Sequence, residues 1–84
     1  MNNQKVLDHC NSKIREINAA NKYPTGKVGK QLNAYAMFAS DAKLALTLGG
    51  VYAEWTRKIN EILSDPGPTW MVEVAQDINS NCAA

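Results

Sequence analysis

The single histidine of this 84-residue chain is the first place to look for chemistry. His9 stands beside Cys10, and imidazole and thiolate side chains bind zinc or form nucleophile–base pairs. Neighbouring residues of a helix point about 100° apart, so this pair needs distant partners to form a site. Asp8 is no better placed. We therefore expect a surface histidine beside a core cysteine, no catalytic residue, no metal and no cofactor: the chain is not predicted to be an enzyme.

Residues 22–30 (Lys-Tyr-Pro-Thr-Gly-Lys-Val-Gly-Lys) superficially look like a phosphate-binding loop. A Walker A loop has Ser or Thr after its Gly-Lys, but Gln31 follows Lys30 here. Three lysines without an acid, and glycines where a helix is predicted to begin, are still the ingredients of an anion site. Lys22, Lys27 and Lys30 thus either bind an anion or acidic partner, or form a solvated basic turn that meets the acidic C-terminal part of the chain.

The aromatic side chains divide into core and surface candidates. Tyr35 and Trp55 lie on predicted inward stripes and are expected in the core. Tyr23 falls in the exposed basic turn, and Trp70 falls in the first turn of a short helix. Because aromatic residues dominate interface hot spots, Tyr23 and Trp70 are the better candidates for partner contacts.

Helical periodicity predicts an all-α fold, a small bundle of about four helices in a single domain over residues 1–84. Apolar residues recur three or four positions apart, and no segment alternates convincingly with a period of two. The clearest stripe consists of Val28, Leu32, Tyr35, Ala39, Ala42 and Leu46. The predicted helices cover residues 3–21, 26–48, 51–63 and 69–79.

Turn residues mark the predicted breaks between these helices. Asn2 or Asn3 is expected to cap the first helix, and Thr25 the second. Gly49-Gly50 should end or kink the second helix, since each glycine costs about 1 kcal/mol relative to alanine inside a helix. Residues 80–84 are expected to form a frayed tail.

Charge is strongly polarised along the chain. Residues 1–30 carry six basic and two acidic side chains, whereas residues 59–84 carry four acids and neither lysine nor arginine. Such a chain can pair its two ends within one fold, or head to tail with a second copy. Two of the acids, Glu73 and Asp77, lie four residues apart on one helix face and are interpreted as a solvated acidic stripe.

Other classes of protein fit the sequence less well. Residues 41–60 have a faint helix-turn-helix pattern. The helix that would contact DNA carries two basic residues, Arg57 and Lys58, and one acid, Glu54, so its net positive charge is small for DNA binding. No segment is predicted to span a membrane or to act as a signal peptide. Two cysteines are few for a secreted domain of this size, so we expect reduced thiols and a cytoplasmic protein.

Several runs of residues carry a resemblance to a known family. They are Asp8-His9-Cys10-Asn11, residues 22–30 and Gly49-Gly50-Val51-Tyr52-Ala53, together with the Asn-rich helices and the chain length. Over most of its length the chain is similar to the small cytoplasmic accessory proteins of T4-type bacteriophages, in particular the lysis-inhibition antiholins. The resemblance implies a non-enzymatic protein that binds the cytoplasmic part of a holin and delays lysis, and it assigns no role to an individual residue.

The sequence therefore predicts a non-catalytic helical regulator that binds a protein partner and forms homo-oligomers through spare apolar surface on the second or fourth helix. A membrane-adjacent partner such as a holin is compatible with this prediction. The alternative is a protein that binds nucleic acid or an anionic nucleotide through residues 22–30, including one that counters host defence. The candidate contact residues are Lys22, Tyr23, Lys27, Lys30 and Trp70.

Overall fold

The computed structural model describes residues 2–49 and 54–82, which form four α-helices and no strand. The helices are α1 (Asn3–Ala20), α2 (Gly26–Thr47), α3 (Glu54–Ser64) and α4 (Thr69–Cys82). The predicted all-α bundle of four helices is confirmed. The predicted start of the third helix, at residue 51, lies outside the described residues.

Local signals in the sequence account for the ends of α1 and α2. The Asn2 side chain caps α1 by accepting hydrogen bonds from the backbone N–H groups of Gln4 and Lys5, at 2.8 and 3.2 Å. Thr25 occupies the cap position of α2, although its side chain makes no capping hydrogen bond. Gly49 ends that helix in the left-handed conformation, with φ of 84°, which glycine adopts without a steric penalty.

The core lies where all four helices meet. Its largest fully buried side chains are Trp55 and Ile59 from α3, Phe38 from α2 and Ile78 from α4. Trp55 also donates its indole N–H to the side-chain oxygen of Asn3, at 2.7 Å, so its one polar atom is satisfied. The predicted inward positions of Tyr35 and Trp55 are confirmed, at 5% and 1% exposure.

The predicted frayed tail is wrong over its described part. Ser80, Asn81 and Cys82 continue α4, and the Cys82 side chain is fully buried in the core. Cys82 follows the buried Ile78 by one helical turn, so it extends the same apolar stripe into the protein. Residues 83–84 lie outside the described part of the chain.

A second correction concerns the far end of α2. Leu46 is the last residue of the predicted inward stripe, yet it is 38% exposed. Ala39 and Ala42 of the same stripe are buried as predicted. The helix therefore carries its apolar stripe beyond the part of the core that covers it.

Candidate functional site

The basic turn between α1 and α2 is partly neutralised within the fold. The Lys27 ammonium donates to the Glu73 carboxylate of α4 at 3.0 Å, and Gln31 donates to the other carboxylate oxygen at 2.9 Å. The hydrogen bond from Lys27 is the main cause that holds the pKa of Glu73 below its ordinary value. Lys27 thus meets the acidic C-terminal part of the chain, which is one of the two interpretations of this turn.

Lys22 and Tyr23 stay at the surface of the same turn. Tyr23 is 78% exposed, and the Lys22 ammonium lies 5.7 Å from the centre of its ring. This distance is within the range of a cation–π contact, which at an exposed site is worth about 0.5–1 kcal/mol. The two side chains therefore contact each other and remain accessible to a partner.

The glycines of the turn have structural roles. Gly26 has a φ of 60°, which places it in the left-handed region at the start of α2. A Cβ atom on Gly29 would lie 3.0 Å from the backbone carbonyl oxygen of Pro24, so this position requires a close approach of two backbone segments. The pattern that looks like a phosphate loop is thus explained by the geometry of the turn.

Lys30 and Trp70 are brought together at one groove. The groove has a volume of 230 Å³ and runs between the first half of α2 and the start of α4. Its lining residues are Lys30, Asn33, Ala34, Met37, Trp70 and Met71. Trp70 is only partly buried and packs against the core, while Lys30 is exposed. Of the five predicted contact residues, the structure unites these two.

A polar cluster that the sequence did not predict joins three helices. The Asp77 carboxylate of α4 accepts hydrogen bonds at one oxygen, Oδ2, from His9 Nε2 of α1 at 2.7 Å and from the Tyr35 hydroxyl of α2 at 2.5 Å. Its other oxygen accepts from the Asn81 side chain at 3.0 Å. Since a carboxylate only accepts, the His9 ring must carry its hydrogen on Nε2. The interpretation of Asp77 as part of a solvated stripe is wrong.

Electrostatics reinforce this cluster, which we call the Asp77 cluster (His9, Tyr35, Asp77). Burial raises the pKa of Asp77, but the hydrogen bonds from Tyr35 and His9 outweigh it and bring the net value below the ordinary one. Burial and the adjacent carboxylate raise the pKa of Tyr35, so the phenol stays protonated. The cluster is therefore a neutral phenol and an imidazole held by one carboxylate.

The Asp77 cluster does not activate the nearby Cys10 thiol. Burial, with smaller effects from Cys82 and Asp77, raises the pKa of the nearby Cys10 thiol to about 12. The Cys10 side chain has no exposed surface, and a protonated, buried thiol is chemically inert. Cys10 and Cys82 are both free thiols. Within residues 2–49 and 54–82, no three His, Cys, Asp or Glu side chains are grouped so that they could hold a metal ion.

The helix-turn-helix pattern leaves few basic side chains free on α3, the helix that would contact DNA. Arg57 pairs with Glu54 and Glu61 of its own helix, and Lys58 pairs with Asp41 of α2 at 2.8 Å. The two basic residues of α3 are thus both engaged by acids.

The C-terminal end of α2 is the most apolar exposed part of the described surface. Leu44 and Leu48 are 54% and 57% exposed, and they lie one turn apart on the face that points away from the core. Leu46, on the other side of the helix, is 38% exposed. We call these three residues the leucine end.

Sequence reasoning missed Asp77 as a site residue, although a signal was present. Val74 precedes Asp77 by three residues and Ile78 follows it directly, so Asp77 lies at the border of the inward stripe of α4. An acid on such a stripe needs buried hydrogen-bond donors. His9 and Tyr35 supply them from segments that are distant in sequence.

No protein-family model, curated protein or solved structure matches this chain. In the described part of the chain, none of the helices combines the length and the apolar character needed to cross a membrane. Function must therefore be inferred from the surfaces described above.

Proposed function

We propose that this chain is a non-catalytic helical regulator that binds other protein chains through its leucine end. The observation that carries the proposal is the exposure of Leu44, Leu46 and Leu48 at the end of one helix, on both of its sides. A helix that is apolar on several sides normally buries them against another chain. The polar groups of the Asp77 cluster, in contrast, are used within the fold.

The energetics favour a contact at this position. Burying a fully exposed leucine side chain contributes about 1.5–3 kcal/mol, and each of these leucines is one-third to three-fifths exposed. Their combined burial would form the apolar centre of an interface, surrounded by the polar residues of α2. A second copy of the chain is one such partner, because a small core gains stability from self-association.

The resemblance to phage antiholins adds a specific partner to this proposal. In that version the protein acts in the cytoplasm, where it binds the soluble segment of a holin and delays lysis. Calorimetry with the isolated holin segment at micromolar protein concentrations tests this version directly. Absence of heat and of complex formation would remove the holin while leaving other protein partners to be tested.

The general proposal is tested with a double variant, Leu44→Ser with Leu48→Ser. Both side chains are largely exposed, so we expect the variant to retain the circular dichroism spectrum of the parent, and its unfolding midpoint at dilutions where both proteins are monomeric. Light scattering coupled to size exclusion should show a parent that associates as its concentration rises, and a variant that stays monomeric. Ala36→Ser, at another exposed position of α2, is the matched control and should behave as the parent.

Two outcomes would contradict self-association through the leucine end. One is a parent that stays strictly monomeric at high concentration. The other is a double variant that associates as strongly as the parent, which would place the contact elsewhere on the surface.

A second candidate function, binding of an anionic nucleotide or nucleic acid, is favoured by Lys22 and Lys30. Neither lysine forms an ion pair with a described residue, whereas Lys27 is occupied by Glu73. Binding through these lysines should weaken steeply as salt is added. Failure to bind nucleotides or oligonucleotides at low salt would dismiss this candidate.

A further inference from the structure

The groove between α2 and α4 combines an apolar floor with one cationic edge. Trp70, Met71, Met37 and Ala34 supply the apolar lining, and Lys30 and Asn33 supply the polar groups. Trp70 packs against the core from one side, so the core fixes the position of its ring. Methionine side chains adapt to the shape of what they contact. Tryptophan is enriched among the residues that dominate binding at protein interfaces, so Trp70 beside two adaptable methionines favours a protein side chain as the occupant.

The charge at this groove is uncompensated. Lys30 is exposed and forms no ion pair with any residue in the ranges 2–49 and 54–82. Lys27, about one turn earlier on the same helix, is paired with Glu73. Asn33 is exposed beside Lys30 and can donate to, or accept from, a peptide backbone. The edge of the groove is therefore complementary to a negative group.

The size of the groove indicates what can occupy it. Pockets for drug-sized molecules have volumes of about 300–1,000 Å³ and enclose most of the ligand. This groove has a volume of 230 Å³ and is open to solvent, which suits one large side chain that remains attached to its own backbone. Two larger hollows border α3, and their lining residues include acids but no aromatic side chain.

From these features we infer that the groove binds an acidic, apolar segment of a protein partner. A leucine or aromatic side chain of that segment packs on Trp70 between Met37 and Met71, and a neighbouring carboxylate pairs with Lys30. The inference shares one premise with the proposed function, namely that the partner is a protein. It places the contact at a surface distinct from the leucine end, so the two can fail separately.

The test uses the full chain labelled with ¹⁵N and a blocked hexapeptide with a central Leu-Phe pair flanked by glutamates. The chain has two tryptophans, so its spectrum contains two indole N–H signals. At peptide concentrations of about 1 mM, where weak contacts become populated, the Trp70 signal should shift. The buried Trp55 signal, whose N–H is held by Asn3, should stay in place and serves as an internal control.

Two comparisons assign the shift to the inferred contact. The same peptide with lysines in place of glutamates should bind at least threefold more weakly. Lys30→Gln should weaken binding of the acidic peptide by roughly two- to fivefold, because the ion pair that is lost lies at the exposed edge of the groove. Lys43→Gln, an exposed lysine further along α2, is the matched control and should leave binding unchanged.

Three results would overturn the inference. The first is a Trp70 signal that does not respond to the acidic peptide. The second is an equal response to the acidic and basic peptides, which would show that Lys30 takes no part. The third is adenosine monophosphate shifting Trp70 at lower concentration than the peptide, which would assign the groove to an anionic nucleotide. None of these outcomes depends on the leucine end.

Discussion

Replacing Asp77 with alanine should destabilise the fold more than any other single change of an acidic residue in the described chain. The side chain accepts hydrogen bonds from His9 on α1 and Tyr35 on α2, so it connects three helices. A hydrogen bond to a charged group contributes about 1.5–3 kcal/mol. The Asp77 side chain is 25% exposed, and water can replace part of what is lost, so we expect Asp77→Ala to cost about 2–4 kcal/mol.

A loss of this size is large for a small domain, whose total stability is about 5–15 kcal/mol. Each kcal/mol shifts the melting temperature of a domain of this length by about 4–8 °C, so the variant should melt about 8–30 °C below the parent. Urea unfolding followed by circular dichroism measures the free energy directly. Glu73→Gln, one turn earlier on α4 and paired only with exposed groups, is the control and should shift the midpoint far less.

The pH dependence of the same measurement follows from the sign of the pKa change. The folded pKa of Asp77 is below its ordinary value of 3.8, so the folded state favours the carboxylate. Its contribution is therefore present above about pH 4 and is lost as the pH falls through the folded pKa. Between pH 5 and pH 3, the parent should lose more stability than Asp77→Ala. A variant as stable as the parent, or one with the same acid dependence, would refute this account of the cluster.

Four further predictions concern the Tyr35 hydroxyl, the stability at high pH, the thiols and the turns. Tyr35→Phe removes one of the two hydrogen bonds to the Asp77 Oδ2 atom and should cost about 1–2 kcal/mol in urea unfolding, less than Asp77→Ala. Because the folded pKa values of Tyr35 and Cys10 are raised, stability should decline as the pH rises above about 9, which urea melts between pH 8 and pH 11 would show. Cys10 and Cys82 are buried and protonated, so a colourimetric thiol reagent at pH 8 should react slowly with the native protein and rapidly in urea; fast native labelling would contradict their burial. Gly49→Ala forces a side chain into the left-handed region and should lower stability by about 1 kcal/mol in thermal melts, whereas Gly67→Ala meets nothing within 4 Å and should be close to neutral.

Local information in the sequence predicted most of the secondary structure. Asn2 as a cap, Pro24 as a stop and Gly49 as a helix end act through their own backbone and side-chain chemistry, so each could be identified from its neighbours alone. The spacing of apolar residues also placed Tyr35 in the core, because a helical period does not depend on what the helix packs against.

The C-terminal part of α4 was mispredicted because local signals do not show what a helix packs against. Asn79 to Asn81 are polar and look like the end of a helix, but the buried Cys82 belongs to the core beyond them. A tail frays only where it gains nothing from packing. Whether Cys82 had a core to enter depended on the positions of the other helices, which the local sequence does not contain.

The candidate sites also depend partly on the local sequence and partly on the packing of the helices. Composition and order along the chain determined the four helices, their inward faces and the opposite charges of the two ends. Only the tertiary structure decided that Glu73 neutralises Lys27 and leaves Lys30 free at the Trp70 groove, and that Asp77 binds His9 and Tyr35. The physical reason is range: helical periodicity and capping act over a few residues, whereas the hydrogen bonds to Asp77 join residues 42 and 68 positions apart and exist only once the helices have packed.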